Sequence, residues 1–372
     1  MWLYYFLAIY ILSCAIFIFS ISNMKKGRYV YIVLTMGLFA ILTMFRSEQV
    51  GNDTQAYIRL FNSISSGVEM SFYAKRYEIG FLYLNKVLSL ISNNYQIIFV
   101  VSGAYIYFAY GRLIYKHSNM VWLSVFLFFT MRNFDLSMSG IRQMLALATV
   151  SISYEYIVDK KPFKFLCTVL LATSFHTVSI IFFLAYPLSK FKLTKRFLFT
   201  VMVTSAGIYI LFIPILKVAL SIFPRYSYYL NGTYLDGEAR IATIISLTIT
   251  ALMLIISEIL NHRFVYKNNS LRRYTIISHK TGEDDVQAVF LLIACAFLLI
   301  SLRGTILSRF TNIYSIFAII YYPNAIAKMK NNKGKLLIIF ITVVIFFCYS
   351  TMIYLLRPEW QSTYPYLFYW NK

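Results

Sequence analysis

Residues 2–22 read WLYYFLAIYILSCAIFIFSIS, and the first charged side chain of the chain is Lys25. At 1.5 Å of rise per residue, such a run spans the roughly 30 Å hydrocarbon core of a bilayer. A secretory signal opens with a basic region and ends in a small-residue cleavage site. Neither is present, so the stretch is predicted to be a retained transmembrane helix.

The rest of the 372 residues extends this reading: 59% are hydrophobic and 13% charged. A soluble domain carries about a quarter charged residues to solvate its surface. The chain is therefore expected to be all-α, a polytopic helical bundle forming one transmembrane domain over residues 1–372. Apolar runs place crossings at about 2–22, 29–45, 95–113, 119–131, 138–158, 163–175, 177–188, 196–218, 240–261, 286–301, 310–327 and 336–356, about 12 in all. The runs at 163–175 and 177–188 are read as two short crossings rather than one long tilted helix, because charge separates the two possibilities. With two crossings, the loops 23–28, 112–118, 159–164, 189–196, 262–285 and 328–335 hold 21 of the 35 Lys and Arg residues. The positive-inside rule places that set in the cytoplasm and both termini outside. The same rule accounts for the net charge of +21. The cations lie in short loops with no basic domain, so no nucleic-acid partner is expected. Cys14, Cys167, Cys295 and Cys348 are scattered through apolar runs, with no disulfide framework or metal-ligand spacing.

Two loops are long. In the outer loop 46–94, Tyr57, Phe61 and Ile64 share one helical face, as do Tyr77, Phe81, Leu84, Leu88 and Ile91; Glu78, Asn85, Ser89 and Ser92 fall opposite the second set. This is the pattern of amphipathic interfacial helices. The cytoplasmic loop 262–285 is basic and then acidic, with no fold apparent in it.

Topology sorts the polar residues. Arg46, Asp53, Glu78, Asp135, Arg142, His176, Arg303 and Arg309 fall on the outer side or at outer helix ends. Arginines gathered with a few carboxylates suit a phosphorylated, lipid-linked substrate, because guanidinium forks bind phosphate oxygens and stay charged. Asp53 either caps the helix that follows it or serves as a base. Glu78 is either a solvated first-turn acid or a catalytic group. Arg142 enters a crossing after Ser137-Met138-Ser139-Gly140-Ile141 and is read as a substrate ligand, with Gln143 beside it; the alternative is an ion pair with Asp135. His176 lies between two short apolar segments and faces the Arg-rich side, whereas His117, His262 and His279 fall in cytoplasmic loops. Arg303 and Arg309 either clamp a diphosphate or end a helix. No P-loop, strand–helix GxGxxG, nucleophile elbow or HExxH is present. Asn231-Gly232-Thr233 matches a glycosylation sequon, a common chance match.

Taken in order, several short motifs resemble the EpsG-like branch of the Wzy-type polysaccharide polymerases. They are Arg46 with Val50-Gly51-Asn52-Asp53 and Tyr57, Tyr77-Glu78-Ile79-Gly80-Phe81, Gly140-Ile141-Arg142-Gln143 with Ala146, Phe175-His176-Thr177, Arg309-Phe310, and Tyr364-Pro365-Tyr366. The chain departs from the pattern after His176, where Thr-Val replaces a Ser-Ala-like pair. The resemblance implies an enzyme of the bacterial cytoplasmic membrane with its active face outward. Such a glycosyltransferase joins oligosaccharide repeat units carried on undecaprenyl diphosphate into O-antigen lipopolysaccharide, capsule or exopolysaccharide. It further implies membrane lipid, a flippase and a chain-length regulator as partners.

On this reading Arg142, Arg303 and Arg309, with Arg46 and Gln143, bind the diphosphates, and Asp53, Glu78 or His176 takes the acceptor proton. No cofactor and no metal are expected, and direct displacement would invert the anomeric centre. The alternatives are another polyprenyl-linked sugar transferase such as an O-antigen ligase, a lipid-linked oligosaccharide flippase, and a membrane scaffold. A ligase should carry its large outer loop late in the chain, where here it is early. A flippase should show related halves and polar residues through the depth of its helices.

Overall fold

The computed structural model of the chain describes residues 1–21, 24–222, 240–266, 274–278, 282–304 and 307–370. The helices of the N-terminal half are α1 (Trp2–Ile21), α2 (Met24–Met44), α3 (Thr54–Ser65), α4 (Ile79–Ile91), α5 (Gln96–His117), α6 (Val121–Thr130), α7 (Asn133–Ser139), α8 (Ile141–Val158) and α9 (Pro162–Phe175). A 3₁₀ stretch, Thr177–Leu184, leads into α10 (Ala185–Leu188), α11 (Lys195–Ile210), α12 (Phe212–Ile222) and α13 (Arg240–Asn261). Strands β1 (His262–Tyr266) and β2 (Tyr274–Ser278) pair antiparallel, with His262 opposite Ser278. The chain ends with α14 (Gly282–Ser301), α15 (Ser308–Ser315), α16 (Ala318–Ala327) and α17 (Asn332–Leu356). The sequon at Asn231 and His279 lie outside the described residues.

Among the described residues, six helices are long and apolar enough to cross a membrane: α1, α2, α5, α13, α14 and α17. A seventh is α11 with α12, bent by 74° between them. The bend has a cause in Pro214, which lacks the N–H needed to continue α11 and clashes with the preceding turn. The protein is a multi-pass membrane bundle, though shorter in several places than the apolar runs predict. The clearest case is α6, expected as the crossing 119–131. Its ten residues are buried almost throughout, and a short helix apolar on every side belongs in a protein core. The 262–285 loop, in which no fold was expected, contains the β1–β2 hairpin and the acidic first turn of α14. Every cysteine is free.

The described chain forms two compact units: residues 1–180 with 330–372, and residues 181–329. In the first, α8 packs on α9 and α5, α5 on α2, and α2 on α1, while α6 is held among α1, α2 and α17. Polar contacts gather at its two ends. At one end Arg28 donates to the Tyr115 and Ser118 carbonyls at 2.5 and 2.8 Å, and the Glu155 carboxylate receives Arg112 and Lys116, each within 2.6 Å. At the other, the Gln96 side chain donates to the Met44 carbonyl and the Asn52 N–H to Ser139 Oγ at 3.3 Å.

The 46–94 loop folds onto that second end. Tyr57, Phe61 and Ile64 of α3 are buried as their spacing predicts. The α4 face differs from the expected one: Asn85 is fully buried and Ile91 is 70% exposed. Asn85 turns inward because its Nδ2 donates to the Phe81 carbonyl at 2.8 Å, which leaves Ile79, Tyr83, Val87, Leu90 and Ile91 outward. The C-terminal tail covers the same end. The Ser47 N–H donates to the Leu367 carbonyl, the Gly51 N–H to Ser362 and the Tyr369 N–H to Phe45, each at 2.8 Å. Gly51 sits at φ +97°, and a Cβ there would lie 2.5 Å from the Met138 carbonyl oxygen, so this turn requires glycine.

In the second unit α14 packs against α11, α13 and α15, and α13 against α16. Phe182, Phe290, Tyr314 and Phe317 stack at its core. Polar groups tie the helix ends: Lys328 binds Asp284 at 2.5 Å and Asn261 at 3.2 Å, and the Tyr321 hydroxyl donates to Glu258.

Candidate functional site

At the end of the first unit that carries the 46–94 loop, α4, α8 and α9 bring three groups into contact. Glu78 precedes α4, Arg142 is the second residue of α8, and His176 follows α9. The Arg142 Nη1 lies 2.7 Å from Glu78 Oε2. The Glu78 Oε1 lies 3.1 Å from His176 Nδ1 and accepts the Thr177 N–H at 3.2 Å.

Local structure explains why these groups meet. Helix α9 stops at His176, whose backbone is extended at φ −152° and ψ 114°. The Thr177 N–H then bonds the Glu78 carboxylate instead of a helical carbonyl, and the chain tightens into eight residues of 3₁₀ helix, an unusually long run for that geometry. Glycine at position 80 sets the approach of α4 to α9. A Cβ there would lie 2.2 Å from the Ser174 hydroxyl and 2.8 Å from the Ser174 carbonyl oxygen.

The cluster continues on the side of α3. The Arg142 guanidinium sits 4.8 Å above the Tyr77 ring and lies against the Tyr57 hydroxyl. Tyr57 donates to Asp53 Oδ2 at 3.2 Å, and burial pushes its hydroxyl well above its ordinary value, so it stays a donor. Asp53, Tyr57, Arg142, Glu78, His176 and Thr177 thus form one chain of contacts through residues remote in sequence.

Glu78 is partly buried, at 16% side-chain exposure. Burial alone would raise its pKa. The His176 hydrogen bond, the Arg142 charge and the Thr177 N–H outweigh burial and lower it to about 2. Glu78 is therefore a fixed carboxylate, not the solvated first-turn acid that its position before α4 also allows. Three buried nitrogens in this region have no hydrogen-bond partner among the described residues: His176 Nε2, Arg142 Nε and Gln143 Nε2.

Other expectations are revised. Asp53 makes no capping bond through its side chain, and its carboxylate is exposed beside Tyr57. Arg142 pairs with Glu78 and not with Asp135. Asp135 is instead fully buried, where it accepts Tyr354 Oη at 2.7 Å and Thr363 Oγ1 at 2.5 Å and lies 3.4 Å from Arg132 Nε. Arg46 is also fully buried. It donates to the Thr43 carbonyl at 2.5 Å and lies 4.0 Å over the Phe99 ring, while its Nε and Nη2 have no partner among the described residues. Burial lowers its guanidinium only to about 10, so it remains charged beneath the tail. Arg303 and Arg309 belong to the second unit and are both exposed; Arg303 stacks 4.8 Å from the Tyr209 ring. Tyr57 was read as part of an apolar face and of the Asp53 motif, with no polar role of its own. A tyrosine one helical turn after an aspartate is the signal that could have marked it as polar machinery. No group of three or more His, Cys, Asp or Glu side chains converges as a metal site among the described residues.

Fold and site together define a polytopic membrane protein with a Glu–His–Arg cluster at one end of its helices. The chain belongs to the EpsG family, whose model matches residues 28–368. That family is associated with glycosyltransferase-like polysaccharide polymerases of membranes. No curated protein and no solved structure matches the chain.

Proposed function

We propose that the protein polymerises oligosaccharide repeat units carried on undecaprenyl diphosphate, at the outer face of the bacterial cytoplasmic membrane. The observation that carries this reading is the hydrogen-bonded series Arg142–Glu78–His176, with His176 Nε2 buried and unpartnered. Glycosyl transfer needs a base for the acceptor hydroxyl and positive charge for the departing diphosphate. When Glu78 accepts the Nδ1 proton, the Nε2 lone pair of His176 is available as that base. A carboxylate held at about 2 is a weak base near neutral pH, which favours His176 over Glu78. Asp53 is one tyrosine further along the series and is assigned to hold Tyr57.

In the reaction the acceptor hydroxyl oxygen attacks the anomeric carbon of the growing chain. The bond from that carbon to the diphosphate oxygen breaks, and the electron pair leaves with undecaprenyl diphosphate. The acceptor proton passes to His176 Nε2. Attack opposite the leaving group inverts the anomeric centre. Arg142, with Gln143 beside it, faces the diphosphate charge, and guanidinium charge serves here without a metal. Arg303 and Arg309 are proposed as diphosphate ligands on the second unit. Arg46, sealed beneath the tail, supports the outer loop and does not touch substrate.

The test is deletion of the gene, with gel analysis of surface glycans and of lipid-linked intermediates. Loss of long chains with single repeat units still capped or retained on the carrier supports a polymerase. Units stalled on the cytoplasmic side would assign a flippase, and an unchanged glycan profile would remove the assignment. O-antigen, capsule and exopolysaccharide are separated by the glycan that is lost.

A further inference from the structure

Helices α2 and α5 of the first unit enclose a groove of about 490 Å³. Small residues form much of its floor, with Gly37 and Ala40 on one helix and Ala104 and Gly111 on the other, and Phe108 forms part of its wall. A Cβ added at Gly37 would meet nothing within 4 Å, so the groove is open there. From Tyr29 to Ala40 the lining runs about 16 Å along α2, enough for a good part of an acyl chain.

One end of the groove is cationic. Arg112 and Lys116 line it, and both contact Glu155, so three charges leave a net positive one. Their side chains remain 41% and 40% exposed. Arg28 sits over the Tyr115 ring at the same end, and its hydrogen bonds go to the Tyr115 and Ser118 carbonyls. Exposed Lys25 and Lys26 open α2 nearby.

We infer that this groove holds an anionic phospholipid, its acyl chain between α2 and α5 and its head-group phosphate at Arg112 and Lys116. Basic pockets between membrane helices select anionic head groups in this way. The position also separates this lipid from the proposed carrier substrate. Arg142 and Glu155 lie on one helix, α8, about 20 Å apart along its axis. A carrier with its diphosphate at Arg142 has its head at the opposite end, so the lipid at Arg112 runs the other way. The inference does not depend on the reaction performed at Glu78.

Detergent-purified protein should be titrated with phosphatidylglycerol and with phosphatidylcholine, following thermal stability and, by native mass spectrometry, retained lipid. Phosphatidylglycerol should bind and raise Tm, and phosphatidylcholine should not. Lys116→Gln keeps the Arg112–Glu155 pair and should weaken phosphatidylglycerol about fivefold. Gly37→Leu places a side chain in the open groove and is the better helix former; it should abolish the lipid response without lowering the lipid-free Tm. Equal responses to the two lipids, or an unaltered phosphatidylglycerol response in Lys116→Gln, would overturn the inference. Displacement of phosphatidylglycerol by undecaprenyl phosphate would also overturn it, by giving the groove to the carrier.

Discussion

His176 Nδ1 lies 3.1 Å from Glu78 Oε1, although the two residues are 98 apart in the chain. The contact fixes the orientation of the imidazole and leaves Nε2 as its remaining nitrogen. It also ties α9 to α4, because the same oxygen receives the Thr177 N–H at the helix end. One carboxylate thereby organises a candidate base, a guanidinium and the start of the 3₁₀ stretch.

If His176 takes the acceptor proton, His176→Ala should cut the polymerisation rate by about 10² to 10⁴. Glu78→Gln keeps an oxygen for Nδ1 but loses the charge facing Arg142, and should cost less. The assay is elongation of lipid-linked repeat units in membranes from a deletion strain carrying each variant at equal expression. Wild-type chain growth by His176→Ala would end the base assignment.

Gly80→Ala introduces a methyl group where Ser174 already lies within 2.8 Å. The helices must separate, at a cost of about 1–3 kcal/mol, and the Glu78–His176 contact should lengthen. Ser174→Gly added to Gly80→Ala removes the hydroxyl and Cβ but leaves the carbonyl, so it should restore stability and activity only in part. A double-mutant cycle on Tm and polymer yield measures the coupling. Additive effects would place the clash elsewhere.

The depressed pKa of Glu78 has a stability consequence of definite sign. The unfolded side chain titrates near its ordinary value of about 4.3 and the folded one at about 2, so folding favours the ionised form. Its stabilisation is complete above the unfolded value and is lost as pH falls from about 4.3 towards 2. Thermal melts of wild type and Glu78→Gln should therefore converge over that interval and stay apart at neutral pH. A constant gap between them would show that the Arg142 and His176 contacts do not stabilise the ionised carboxylate.

Much of this was legible in the sequence because it is local or averaged over long runs. Hydropathy located the long apolar helices but counted short buried ones such as α6 as crossings, and the three-and-four spacing of Tyr57, Phe61 and Ile64 gave the buried face of α3. Motif order marked Asp53, Glu78, Arg142 and His176 together with Arg46 and Arg309. The pairings were not legible, because they depend on which helices become neighbours. Nothing near Arg142 in sequence selects Glu78 over Asp135, and nothing near Arg46 shows that a tail more than 300 residues later covers it. The α4 face was misread because periodicity treats Asn85 as polar and outward, whereas the helix satisfies its Nδ2 internally at Phe81.

Asp135 and Asp53 are carboxylates at the end that carries the 46–94 loop, and their surroundings differ. Asp135 is fully buried and receives Tyr354, Thr363 and Arg132, so it joins α7, α17 and the C-terminal tail. Arg132 has φ +66°, and both of its Nη atoms lack partners, so the aspartate is its one close counter-charge among the described residues. Removing one member of a buried ion pair costs about 3–5 kcal/mol, because the other charge remains desolvated. Asp135→Ala should therefore lower Tm sharply and reduce the amount of folded protein in membranes. Asp53→Asn exchanges an exposed carboxylate that bonds only Tyr57 among the described residues, and should leave Tm near wild type. If Asp53 positions Tyr57 against Arg142, the same variant should lower polymerisation without loss of fold. Measuring Tm and polymer yield for both variants distinguishes these effects: equal loss of stability would make Asp53 a structural residue, and a stable Asp135→Ala would remove the tail from the fold's framework.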